Sequence, residues 1–115
     1  MSREKAKGSR FERQVAEFLS DALGIDAHRM VAGAANDKGD VYGLVVNGRA
    51  VTVECKNHRR MELSGWVDEA ARESANAGTC CGIVIHHRPG RGARRFEETY
   101  VTMTLGGFVE LVKED

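Results

Sequence analysis

The 115-residue chain carries 17 basic and 17 acidic side chains and so no formal net charge. The length fits one domain, residues 1–115, and excludes a large multidomain enzyme; a hydrophobic share of 42% excludes a disordered chain. Neutrality excludes a binder that holds nucleic acid by bulk charge alone, but not an enzyme whose own site is acidic. No segment approaches the roughly 20 apolar residues of a membrane span. Met1 to Arg13 is charged, with no apolar stretch behind it, so no secretory signal is expected. Cys55, Cys80 and Cys81, an odd count with two adjacent, read as small buried hydrophobes in a reducing cytoplasm rather than a disulfide framework. Cys80, Cys81, His86 and His87 lack the paired short spacings of a zinc site.

Charge is unevenly placed. Residues 1–14 and 86–95 are basic, whereas 62–73 and the last six residues are acidic. Residues 1–8 read as a flexible basic extension. Phe11, Val15, Phe18, Leu19 and Ala22 then recur at helical spacing, which predicts an amphipathic helix over 10–23. Ser9 with Glu12 has the pattern of a capping box, and Gly24 stands where a helix stop belongs. A short strand is expected at 27–31, then a glycine-bounded loop over 33–39. Two β-rich runs, 41–46 and 51–56, flank Asn47-Gly48 and predict a hairpin. Helical spacing returns over 65–77, with Ser64 as cap and Gly78 as stop. Cys80 to Ile85 is a continuous apolar run suited to a central strand. Arg88 to Arg95 reads as a loop, Thr99 to Thr104 as a last strand, and Leu105 to Lys113 as either a helix or a further strand. The order predicts an α/β domain, a mixed sheet covered by helices.

Alternate side chains of a strand share a face. Val51, Val53 and Cys55 therefore point to a core, while Thr52, Glu54 and Lys56 point the other way. Counting outward from the Asn47-Gly48 turn brings Asp40 beside residues 54–56, unless a bulge shifts the register. Two close carboxylates repel and favour a cation between them. Mg²⁺ takes one or two carboxylates and keeps several waters. It polarises a phosphoryl oxygen and lowers the pKa of a bound water, while Lys56 offsets charge building on the phosphate. Asp40, Glu54 and Lys56 thus fit a phosphodiester-hydrolysing centre. Glu-x-Lys alone is a common pattern; the strand, the hairpin and the facing Gly39-Asp40 give it weight.

Gly39-Asp40 followed by Glu54-Cys55-Lys56 resembles the PD-(D/E)XK nuclease superfamily. The helix bearing Glu12-Arg13, the strand with Arg29 and the C-terminal α/β half resemble the archaeal-type Holliday junction resolvases and their phage relatives. The resemblance implies a restriction-endonuclease-like fold, a central mixed β-sheet of about five strands flanked by helices. It implies catalytic roles for Glu12, Asp40, Glu54 and Lys56. Asp40, Glu54 and the Cys55 backbone carbonyl would be metal ligands, with Glu12 reaching the metal through a water. Mg²⁺ is the expected cofactor, with Mn²⁺ able to substitute. The implied activity is a structure-selective DNA endonuclease, a Holliday junction resolvase cutting by a metal-activated water. The implied assembly is a homodimer on four-way DNA junctions, in the cytoplasm, or the host cytoplasm for a viral chain. A nuclease for flaps, nicks or foreign duplex, and an inactive DNA- or protein-binding module, are the alternatives.

DNA contacts are expected from Arg10, Arg13, Arg29 and Lys38, from His58, Arg59 and Arg60 after the motif strand, and from Arg88, Arg91, Arg94 and Arg95 in a flexible loop. Glu12 reads equally as cap and as site acid. His86 and His87 read as strand-end residues, and Trp66 as a core or dimer-contact residue. Two departures from the family pattern stand out. The loop before Asp40 lacks the serine common in resolvases and offers Asn36 instead. The second helix presents Glu69, Glu73 and Asn76 where exonuclease branches carry a glutamine.

Overall fold

The computed structural model describes residues 3–30 and 38–114. In chain order the elements are α1 (Arg3–Leu23), β1 (His28–Arg29), β2 (Val41–Tyr42), β3 (Val45–Val46), β4 (Arg49–Lys56), α2 (Leu63–Ala77), β5 (Cys81–His86), a 3-10 segment (Ala93–Glu98), β6 (Tyr100–Thr102) and α3 (Leu105–Val112). The sheet runs β1-β2-β4-β5-β6, with β3 paired to β4. β4 and β5 are parallel and joined by α2, while every other pair is antiparallel. This is a mixed sheet flanked by helices, the restriction-endonuclease-like arrangement. It has six described strands rather than about five because the expected first hairpin strand divides into β2 and β3.

Two packed layers hold β4 and β5. Val51, Val53, Cys55, Ile83 and Ile85 join Phe11 and Val15 of α1 in the larger core. On the opposite face Trp66 and Ala70 of α2 pack on Val84. Gly82 makes that seating possible, because a Cβ there would collide with the Ala70 carbonyl. Cys55 and Cys81 are buried thiols, as their small apolar character suggests.

The helix starts differ from expectation. α1 begins at Arg3, so residues 3–8 belong to the helix, and Ser9 and Glu12 lie inside it. No capping box forms there; Arg3 to Lys7 are mostly good helix formers and carry the helix past Ser9. α2 begins at Leu63 after Glu62, and Ser64 is a helical residue, not the cap. The stops hold: Gly24 and Gly78 take φ of 65° and 72°, and the Gly78 N–H donates to the Ser74 carbonyl. α3 resolves the choice at the C-terminal end in favour of a helix, capped by Thr104, whose hydroxyl accepts from the Gly107 N–H at 3.0 Å.

The hairpin turn is as expected, with Asn47 and Gly48 both at positive φ. The strand before it is not continuous. Val45 pairs with Ala50 and Val41 with Val53, so four steps on one strand face three on the other. The extra residue is a bulge beside Gly43, whose φ is 104° and where a Cβ would sit 2.6 Å from the Asp26 carbonyl oxygen. Among the described residues no helix is long and apolar enough to cross a membrane.

Candidate active site

The bulge decides how the acids meet. Continuing the Val41–Val53 pairing outward sets Asp40 opposite Glu54, one residue short of an unbulged hairpin. The Asp40 N–H donates to the Val53 carbonyl at 2.8 Å, and Asp40 Oδ2 accepts from the Cys55 N–H at 2.8 Å. The aspartate is thus anchored by backbone at both ends. Gly39 precedes it at φ 102°, where a Cβ would lie 2.8 Å from the Thr52 methyl. Carbonyls alternate along a strand, so the Cys55 carbonyl leaves β4 on the same edge as that of Val53, the Asp40 side.

Glu54 and Lys56 face α2, as alternation requires. Glu54 is only 3% exposed, and no donor reaches its enclosed Oε1. Its Oε2 lies 3.4 Å from Lys56 Nζ. Lys56 Nζ also meets Glu69 Oε1 at 2.7 Å. Carboxylate oxygens of Glu54, Glu69 and Glu73 lie within 4.8 Å of one another. Burial, then Asp40, Glu69 and Glu73, push the Glu54 carboxyl far above its usual range. For Lys56, burial works to lower the pKa, but Glu69 and Glu54 outweigh it and the net direction is upward.

Glu12 approaches from α1 and is held by Arg29, Nε to Oε1 at 3.2 Å. Burial and the Asp40 charge raise its pKa against the lowering effect of Arg29. Glu12 therefore lies within electrostatic reach of the aspartate, while Ser9, its expected capping partner, lies inside α1 and does not cap it. Asn36 lies outside the described residues.

The basic residues divide. Arg10 and Arg13 are exposed on α1, and Lys38 is exposed just before the Gly39-Asp40 pair. His58, Arg59 and Arg60 are exposed in the turn leaving β4, with His58 5.7 Å from the Trp66 ring. Arg29 is committed to Glu12. The arginine loop is not a free basic flap. Arg88, Arg91 and Arg95 converge on Glu98 at 3.8, 2.8 and 2.6 Å, and the 3-10 segment fixes that acid among them. Arg88 also lies 5.0 Å over the Tyr100 ring, leaving Arg94 as the exposed arginine for which the structure records no ion pair. His86 is indeed the last residue of β5, buried between Trp66 and Tyr100, with Nε2 2.9 Å from the Thr102 hydroxyl.

Sequence reasoning did not join Glu69 and Glu73 to the site. The signal was present in α2: Trp66, Ala70, Glu73 and Ser74 form its buried stripe, and an acid in such a stripe needs a polar destination.

A motif aspartate beside a Glu-x-Lys strand, at one end of a mixed sheet sandwiched by helices, is the arrangement of the PD-(D/E)XK nucleases. Residues 3–109 match the family described as phage putative PDDEXK endonuclease, and the chain belongs to that family. No curated protein and no solved structure matches it.

Proposed function

We propose that this nuclease is a Mg²⁺-dependent, structure-selective DNA endonuclease that cuts branched DNA, four-way junctions foremost, as a homodimer. The observation that carries the reading is Glu54: a buried carboxylate with a donorless oxygen, beside Asp40 and Lys56 at one end of β4. Leaving a buried acceptor unpaired costs about 1–3 kcal/mol, and a hard cation removes that cost. Asp40, Glu54 and the Cys55 carbonyl form an all-oxygen donor set, which suits Mg²⁺ or Mn²⁺ and disfavours softer metals. When bound, such an ion polarises a phosphoryl oxygen as a Lewis acid.

The chain's own residues do the rest. The Cys55 N–H fixes one Asp40 oxygen and so presets the carboxylate's orientation. Lys56, kept protonated by Glu69 and Glu54, supplies positive charge where charge develops on the phosphate. Glu12, steadied by Arg29, would complete the site through a water. Arg59, Arg60 and Lys38 would hold the backbone of the DNA around the scissile bond. Pairing of two copies would put two sites on the two strands of a junction. Exposed Val101, Leu105, Phe108 and Val112, on β6 and α3, support such self-association.

The test offers the full chain Mg²⁺ and, separately, a four-way junction, a flap, a single strand and a linear duplex. Paired symmetric nicks in the junction are expected, with Mn²⁺ substituting. Asp40→Asn should abolish cutting and keep junction binding. Preferential cutting of linear duplex sinks the junction reading, and no cutting of any substrate supports a binding module. A monomer by light scattering at micromolar concentration counts against the paired sites.

A further inference from the structure

A cleft of about 570 Å³ opens directly beside Lys56 and Glu69, outside the Asp40–Glu54 pair. One wall is basic: His58, Arg59 and Arg60, from the turn leaving β4. The other comes from the start of α2 and carries Glu62, Gly65 and Trp66. His58 lies against the Trp66 ring, with centroids 5.7 Å apart and planes tilted by 36°. Trp66 is buried, so the exposed His58 imidazole is the aromatic face between the basic and acidic walls.

We propose that this cleft receives one unpaired nucleotide of the DNA substrate, next to the phosphate that is cut. The inference rests on the nuclease reading and deepens it by naming the feature that the enzyme selects. Three properties point to a nucleotide rather than a bare phosphate. The volume lies in the range of small-molecule sites, roughly 300–1,000 Å³, more than one phosphate group needs. The two walls differ in charge, so Arg59 and Arg60 fit the phosphate, while Glu62 opposes a second anion and accepts from a base amino group. The exposed His58 ring, backed by Trp66, offers a face or edge for a base. A base inside a duplex cannot enter without leaving its stack, at a cost of a few kcal/mol. At a branch point, bulge or single-stranded end that cost is already met. The cleft therefore converts branching into affinity, which ties selectivity for DNA structure to particular residues.

Trp66 is the single tryptophan of the chain and lines this cleft, so its emission responds to occupancy of the cleft in the folded protein. The Asp40→Asn protein, chosen because it should bind without cutting, is titrated in Mg²⁺ with two hairpin duplexes. One carries a single unpaired nucleotide and the other an abasic sugar at the same place. The unpaired base should change Trp66 emission and bind about fivefold more tightly or better. Gly65→Leu puts a side chain into the cleft from a position where a Cβ has open space, nothing lying within 4 Å of it. It should erase the difference between the two DNAs while leaving Mg²⁺ binding unchanged and thermal stability undiminished, because leucine is the better helix former in α2. Arg59→Ala with Arg60→Ala should weaken both DNAs. Equal affinity for base and abasic site, or discrimination that survives Gly65→Leu, overturns the proposal. Cutting by the unsubstituted chain is scored separately. Cutting without base discrimination defeats the cleft and leaves the nuclease; discrimination without cutting does the reverse.

Discussion

Replacing Glu54 by glutamine should stabilise the metal-free protein and abolish its activity. Glu54 is almost wholly buried among Asp40, Glu69 and Glu73, and its pKa is raised mainly by burial. The folded chain therefore holds that proton more tightly than the unfolded chain, whose carboxyl has a pKa near 4.5. A raised pKa contributes stability that is complete below about pH 4.5 and is lost as pH climbs towards the folded value. Each pH unit costs at most about 1.4 kcal/mol, so by pH 7 the limit is about 3 kcal/mol. Glutamine is nearly isosteric and titrates nowhere in that window. Its amide oxygen can still accept from Lys56, which also keeps Glu69 at 2.7 Å, so the weakening of the 3.4 Å contact costs about 1 kcal/mol or less. The net gain at pH 7 is then about 2 kcal/mol, growing towards pH 8. Urea unfolding in EDTA, followed by Trp66 fluorescence at pH 5, 6, 7 and 8, measures it. The two proteins should be close at pH 5 and diverge above. Glu12 has a shift in the same direction but is present in both, so it cancels. Saturating Mg²⁺ should stabilise the unsubstituted chain more at pH 8 than at pH 6, and the glutamine variant hardly at all. Parallel pH dependences, or a variant less stable at pH 8, would refute the argument.

Glu69→Gln removes the nearest partner of Lys56 while leaving Asp40 and Glu54 in place. Turnover should fall by roughly tenfold to a hundredfold with KM little changed, and the alkaline limb of the rate profile should move to lower pH, because burial then acts on Lys56 less opposed. An unmoved pH profile argues that Glu69 is only structural. Gly82→Ala forces a Cβ against the Ala70 carbonyl and should cost about 1–3 kcal/mol or more in urea unfolding; a neutral result contradicts the seating of α2 on β5. Glu98→Gln releases Arg88, Arg91 and Arg95 from their shared acid. Binding of any DNA should tighten, and the salt dependence should steepen by about one unit in log–log slope; an unchanged slope means that these arginines do not face DNA.

Much of the site was legible because it is built from local patterns. Alternation along β4 is a property of any strand, so Glu54 and Lys56 had to share a face, and the Asn47-Gly48 turn had to fold Asp40 back beside them. The stripe of Phe11 and Val15 likewise needs only helical geometry. What escaped depends on contacts between distant parts. The bulge falls where Gly43 passes the Asp26 carbonyl too closely for any Cβ, and no local pattern announces that neighbour. Glu69 and Glu73 enter the site only because α2 lies across β4 and β5, a consequence of the crossover between two parallel strands. The Ser9–Glu12 pattern misled because a capping box is a weak local preference, and the helix formers upstream of Ser9 outweigh it.

The overall neutrality acquires a structural meaning from these placements. Asp40, Glu54, Glu69 and Glu73, with Glu12 close by, gather acid at one end of the sheet. Without a cation their mutual repulsion opposes both folding and the approach of a phosphate. The remaining basic charge does not spread evenly around them. Glu98 occupies three arginines of the loop after β5, and Glu12 occupies Arg29. Arg59 and Arg60 stay exposed beside Lys56, and Arg3 and Lys7 of α1 meet His58 and Arg59 across a second cleft. Positive charge is thus concentrated where β4 ends, next to the acids that need a cation. DNA affinity should accordingly depend on the divalent ion more steeply than a neutral total charge suggests. It should be lost by neutralising Arg59 far more than by neutralising Arg91, whose charge Glu98 already meets.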